Sequence, residues 1–192
     1  MHPLFKRLAN KYKTPYQVQQ FLYAFEYNKK NTVHSALTAI KLKSAHCLEG
    51  AFVAAAILEF NGYPPFVLSF ESIDNLDHVI FVFQDDGLWG SVSKSRDLGL
   101  RGRAPVYRTL RDLAWSYYDP YVDLTGRITG YQLIHLDETK TNWRESNRNV
   151  FKAEKYLNKV KHIKLKSSDS RFQKLKNLFI KKGGLPIKKN WW

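Results

Sequence analysis

A single cysteine, Cys47, occurs in the 192 residues, within Ser44-Ala45-His46-Cys47-Leu48-Glu49-Gly50 and directly ahead of the apolar run Ala51 to Leu58. That run reads as a buried helix, and a thiol in its first turn feels the positive end of the helix dipole. The dipole favours the thiolate, the form that attacks carbonyl carbon. Position alone leaves a second reading open, in which Cys47 is a small buried hydrophobe. Further along come Asp77-His78-Val79-Ile80-Phe81-Val82-Phe83, then Gln84-Asp85-Asp86-Gly87, then Leu88-Trp89-Gly90-Ser91-Val92-Ser93. A β-branched and aromatic run, an Asp-Gly turn and a second run make a hairpin signal. A four-residue loop sets His78 opposite Ser93, and a two-residue loop sets it opposite Ser95. In either register Trp89, Ser91, Ser93 and Ser95 share the face of His78, because side chains alternate with period two. The histidine is then either a base for the thiol or a strand-end residue capped by one of these serines.

A cysteine opening a core helix, a histidine starting a strand and a polar residue on the neighbouring strand follow in the order found in the transglutaminase-like branch of papain-like thiol enzymes. The chain resembles that family through Cys47-Leu48-Glu49-Gly50-Ala51 with Leu58, Gly62 and Pro64-Pro65, through His78 to Val82, and through Trp89 followed four residues on by Ser93. More broadly, Thr14 to Leu136 resembles a group of bacterial transglutaminase-like proteins of unassigned activity, through Ser44 to Gly50, Ser93-Lys94-Ser95, Arg103 to Arg111 and Ser116-Tyr117-Tyr118. The resemblance implies that His78 is the base for Cys47 and that Ser93 holds the position of the residue, usually aspartate, that orients the histidine. A serine hydroxyl can accept the ring N–H but brings no charge to an imidazolium. Asp77 would point to the opposite face of the strand from His78. Asp85 and Asp86, at the turn, lie over about 15 Å from it along the strand.

The elements that must position these residues follow from caps and periods. Thr14-Pro15-Tyr16-Gln17 reads as an N-cap, an N1 proline and an N3 glutamine, opening a helix to about Glu26. Helices are expected over 33–42, from a Ser44 cap through the cysteine to Asn61-Gly62, over 109–118 and over 147–161. Strands are expected over 66–71, 78–83 and 88–93, with 131–136 returning to the sheet. Helices first and strands later imply an α+β fold with the cysteine helix packed on an antiparallel sheet, and the resemblance implies that this core is papain-like. His46, beside Cys47, could be read as a second base, but as a helix neighbour it is expected to diverge from Cys47 by about 100° and to face the cleft rim. Arg101, Arg103, Arg108 and Arg111 read as a solvated loop and helix start, with a cleft for an acidic group as the other reading.

Charge divides the chain. Residues 151–192 carry thirteen Lys and Arg against Glu154 and Asp169, a net of +11 out of +14. Residues 1–146 are therefore read as the core domain and 147–192 as a basic, partly helical C-terminal extension. Within it, Phe172, Leu175, Leu178 and Phe179 recur at helical spacing among Lys174, Lys176, Lys181 and Lys182, ahead of Gly183-Gly184 and Pro186. This stripe either docks on the core or faces an anionic surface. Trp191-Trp192 could anchor on the core, stack on bases or sit at a membrane interface. The longest apolar run, eight residues from Ala51 to Leu58, is short of the roughly 18 needed to cross a bilayer. Met1 to Arg7 has basic residues without an apolar stretch behind them, so no signal peptide is expected. A lone free thiol is easiest to keep reduced in the cytoplasm. No phosphate-binding glycine motif or metal-ligand spacing occurs, so no cofactor is expected.

Two functions emerge. The first is thiol-dependent acyl chemistry on a peptide or protein amide, by hydrolysis or acyl transfer, with Cys47, His78 and Ser93 as the site and the Cys47 backbone N–H in an oxyanion hole. The second is an inactive papain-like module that binds nucleic acid or another polyanion through residues 151–192.

Overall fold

The computed structural model describes residues 2–75, 77–183 and 192. Thr14 and Gln17 form the expected capping box: the Thr14 hydroxyl accepts the Gln17 N–H at 3.3 Å, and the Gln17 side chain accepts the Thr14 N–H at 3.2 Å. In chain order, α1 (Pro3–Lys11) and α2 (Pro15–Tyr23) precede β1 (Glu26–Tyr27), α3 (Ala36–Leu42), β2 (Ser44–Ala45) and α4 (Cys47–Leu58). The strands β3 (Phe66–Ser72), β4 (His78–Asp85), β5 (Leu88–Val92) and β6 (Arg103–Tyr107) follow, then α5 (Leu110–Tyr121) and β7 (Ile128–His135). The chain continues through α6 (Phe151–Leu157), β8 (Ile163–Lys164) and α7 (Asp169–Lys182). Among the described residues a six-stranded sheet runs β6-β5-β4-β3-β7-β8, antiparallel at every pairing. The fold is α+β.

Helices cover both faces of this sheet. Val67, Val79, Phe81, Phe83, Val92 and Ile134 pack with α1 to α4 and α6. Leu68, Phe70, Ile80, Val82 and Tyr131 pack with α5, and with Leu175 of α7. Every residue of α4 from Leu48 to Leu58 is buried, as a helix apolar on all sides must be. Gly50 lets it come close: a Cβ there would lie 2.5 Å from Lys94 Cβ. The cysteine helix is thereby drawn against the segment that carries Ser93.

The hairpin takes the two-residue loop. Asp85 pairs with Leu88, and Asp86 and Gly87 both have positive φ, 50° and 75°, the pattern of a type I′ turn. In this register Ser93 is offset from His78 along the strand rather than directly opposite it.

Several expectations are corrected. Ser44 does not cap the cysteine helix, because Ser44 and Ala45 stay extended to pair with Glu26 and Tyr27; the N-cap is His46. The helix expected over 147–161 contracts to α6, and the chain after it turns extended to join β7. Arg103 is not in a solvated loop. It is fully buried in β6, where its guanidinium donates to the Gly99, Arg101, Gly102 and Ser116 carbonyls and to the Ser116 hydroxyl and lies 4.0 Å from the Tyr117 ring centre. Five donors meeting several acceptors make such burial tolerable.

The chain beyond 147 is woven into the same layers. Val150, Ala153 and Leu157 join the core beneath α4, while Phe172, Leu175 and Leu178 pack on the α5 side. Trp192 lies against Tyr16 and Phe83 and donates its indole N–H to the Ser91 carbonyl at 3.0 Å. Gly184, Pro186 and Trp191 lie outside the described residues. No helix among the described residues is long and apolar enough to cross a membrane.

Candidate active site

Cys47 is the first residue of α4, so its backbone N–H has no acceptor within the helix and the positive end of the dipole points past it. The α4 helix lies on one face of the sheet, whereas His78 shares the other face with Phe70, Ile80 and Tyr117. They meet because His78 begins β4 and the N-terminus of α4 reaches that end of the strand. His78 and Cys47 are hydrogen-bonded through their side chains.

Behind the histidine, Nε2 lies 3.2 Å from Ser93 Oγ and 3.2 Å from the Leu100 carbonyl oxygen. The Ser93 hydroxyl itself donates to that carbonyl at 2.8 Å. With its proton spent there, Ser93 can only accept from the ring, so Nε2 carries the hydrogen and Nδ1 is left for the thiol. Ser93 is in turn fixed by α2: the buried Gln19 amide donates to its carbonyl at 2.9 Å and accepts its N–H at 2.8 Å. Ser91, on the same face, bonds instead to the Tyr117 hydroxyl at 2.8 Å. The structure thus brings together Cys47, His78 and Ser93. Asp77 is not behind the histidine; its carboxylate accepts the Ser72 N–H.

His46 is also at the sulfur. As an N-cap it has extended backbone (φ −88°, ψ −173°), outside the helical spacing that would send it to the rim, and its ring hydrogen-bonds Cys47. Its Nε2 sits 2.8 Å from the Thr32 carbonyl oxygen. Behind it lies Glu49, fully enclosed, accepting from the backbone N–H of His34 (2.7 Å) and His46 (3.0 Å) and from the Asn28 side-chain amide (2.9 and 3.1 Å). His34 Nδ1 is 3.1 Å from the same carboxyl. Sequence reasoning missed this group. Its signal was present in His46-Cys47-Leu48-Glu49, an N-cap and N3 acid around the cysteine, but moving the helix start by two residues hides it.

Burial pushes the Cys47 thiol up, yet the hydrogen bonds from His46 and His78 and their positive charge outweigh it and bring the group down to about 5. For His46, burial works downward and is overcome by the hydrogen bond and charge of Cys47, with Glu49 adding to them, so that it rises to about 9. The pair is therefore a thiolate and an imidazolium across neutral pH. Cys47 and His78 line a cleft of about 850 Å³, whose walls include Tyr27, Asp77, Arg96 and Leu100. A more open groove of about 570 Å³ lies along α7, lined by Lys174, Asn177 and Lys181, with neither Cys47 nor His78 in its walls. Among the described residues no group of three or more His, Cys, Asp or Glu is arranged to hold a metal ion. No protein-family model and no curated protein matches the chain.

Proposed function

We propose that the chain performs thiol-dependent acyl chemistry on a peptide or protein amide, as a papain-like protein of the transglutaminase-like branch. The observation that carries this reading is Cys47 at the first turn of α4 and His78, with Ser93 and the Leu100 carbonyl behind its ring, on the wall of one cleft large enough for a substrate. In the reaction the Cys47 thiolate, its proton resting on His78 Nδ1, adds to the carbonyl carbon and moves the C=O electron pair onto oxygen. The Cys47 N–H at the helix start is placed to donate to that oxyanion. Collapse breaks the C–N bond, and the leaving amine takes the proton from His78. The thioester is then attacked by water or by a second amine, whose proton returns through His78. Ser93 and the Leu100 carbonyl keep the ring turned to the sulfur throughout. A free nucleophilic thiol suits a reducing compartment such as the cytoplasm.

The test is the rate of Cys47 alkylation by iodoacetamide as a function of pH. Reactivity should rise with a midpoint near 5, and a profile that climbs only near the free-cysteine value of about 8.5 overturns the reading. A second role is favoured by the exposure of Lys174, Lys181 and Lys182 while Leu175 of the same helix is buried: α7 presents a cationic face suited to nucleic acid or another polyanion. Its test is salt-dependent binding of a labelled DNA duplex.

A further inference from the structure

Resting on the thiol reading above, the geometry points to His46 as a second catalytic imidazole, a standing cation beside the Cys47 sulfur, with Glu49 as the positioning acid that fixes and charges it. The carboxylate missing at position 93 is supplied from the other side, to the other histidine.

Glu49 accepts from the Asn28 amide, from the backbone N–H of His34 and of His46, and from the Thr32 hydroxyl at 3.4 Å, and His34 Nδ1 lies 3.1 Å from it. A carboxylate accepts from all of these donors at once, whereas a neutral carboxyl would turn one oxygen into a donor aimed at an imidazole nitrogen. A sealed carboxylate requires a cation close by, and His46 Nε2 is 3.6 Å from Glu49 Oε1. The same Nε2 lies on the Thr32 carbonyl, which orients the ring. A cationic His46 ring thus stands between the sulfur and the Glu49 carboxylate. The division of labour follows: His78 gives and takes the proton, while His46 keeps its own and holds the thiolate by charge. Other titratable groups face the pair from each neighbouring element. His34 lies on Glu49, Asp77 and His78 flank the sulfur at the start of β4, and Tyr27 is across the cleft with Arg96 and Asp97 beside it.

The experiment is Cys47 alkylation by iodoacetamide against pH in the full chain, with NMR titration of the His46 ring in the unaltered protein. His46 should remain protonated beyond pH 8. His46→Gln should raise the alkylation midpoint by at least about one unit, a tenfold loss of thiolate at any pH well below it. Glu49→Gln should raise it by a smaller amount, and Glu49→Asp should recover part of the loss. An unaltered protein whose thiol reacts only near 8.5 overturns the enzyme reading itself. A midpoint near 5 that His46→Gln leaves in place, with the His46 ring titrating near 6.5, overturns the second imidazole alone. A folded Glu49→Gln with an unmoved midpoint overturns the role of Glu49. If that variant does not fold, the His46→Gln profile and the ring titration decide.

Discussion

The two imidazoles at Cys47 are secured alike and backed differently. Each turns Nε2 to a backbone carbonyl, Leu100 for His78 and Thr32 for His46. Beyond that, His78 has a neutral hydroxyl and His46 an enclosed carboxyl. A ring meant to exchange a proton gains from a neutral support, since a carboxylate behind it would hold the proton too firmly. A ring meant to stay charged gains from the acid. On the proposed reading, the charge that Ser93 does not bring to His78 reaches the sulfur from Glu49 through His46.

Removing one ring at a time tests this contrast most severely. His78→Ala should lower acyl turnover by about 10²–10⁴-fold, the usual worth of general acid–base catalysis, while leaving some low-pH alkylation through His46. Equal loss of both would erase the distinction between the rings. The pH window follows from the same pair. Below about 5 the sulfur regains its proton and alkylation should fall away, whereas above about 9 His46 loses its own and the thiolate, still reactive, is no longer ion-paired with it.

Next in size is a packing change. Gly50→Ala would force α4 away from Lys94 and the adjoining Ser93, at roughly 1–3 kcal/mol of overpacking, measurable by denaturant unfolding. Because the strain falls on the His78 side, turnover should drop more than alkylation. Ser93→Ala should weaken turnover a few-fold, since the Leu100 carbonyl still holds the ring. Ser93→Asp should move the alkylation midpoint downward by favouring imidazolium at His78, and an unchanged midpoint in both variants would remove Ser93 from the relay. The smallest effect on the thiol should come from reversing the charge of Lys174, Lys181 and Lys182. Glutamate at all three should leave the alkylation profile in place while weakening DNA binding. In the unaltered chain, log affinity should fall with log salt at a slope near −0.9 per duplex phosphate neutralised.

Much of the scaffold was legible because local chemistry dictated it. Thr14 and Gln17 announce a capping box, Asp86-Gly87 a tight hairpin, and the all-apolar α4 a helix sealed in the core. Strand alternation set Ser91, Ser93 and Ser95 on the face of His78, and the resemblance to the transglutaminase-like branch singled out Ser93 and joined it and His78 to Cys47. What stayed hidden depended on distant partners. The parallel pairing of Ser44 and Ala45 with Glu26 and Tyr27 moves the helix start and turns His46 inward. The Leu100 carbonyl has no side-chain signature at all. Arg103 was misread because a buried guanidinium and a solvated one are the same letter, and only the carbonyls of Gly99, Arg101, Gly102 and Ser116 distinguish them. Charge counting separated residues 147–192 from the rest, but charge describes only their outward side, and Ala153, Leu157 and Leu175 are buried against the core layers.

The grip of Gln19 on the Ser93 backbone has a consequence for how the protein would fail on warming. Ser93 owes its place to a side chain from α2, contributed 74 residues earlier in the chain. Proteins open in cooperative pieces whose free energies lie below that of complete unfolding. Undocking of α2 alone would free Ser93 and let the His78 ring swing. Turnover should therefore disappear at the temperature where the amide of Ser93 begins to exchange with solvent deuterium, before the sheet melts, and cooling should restore it without refolding.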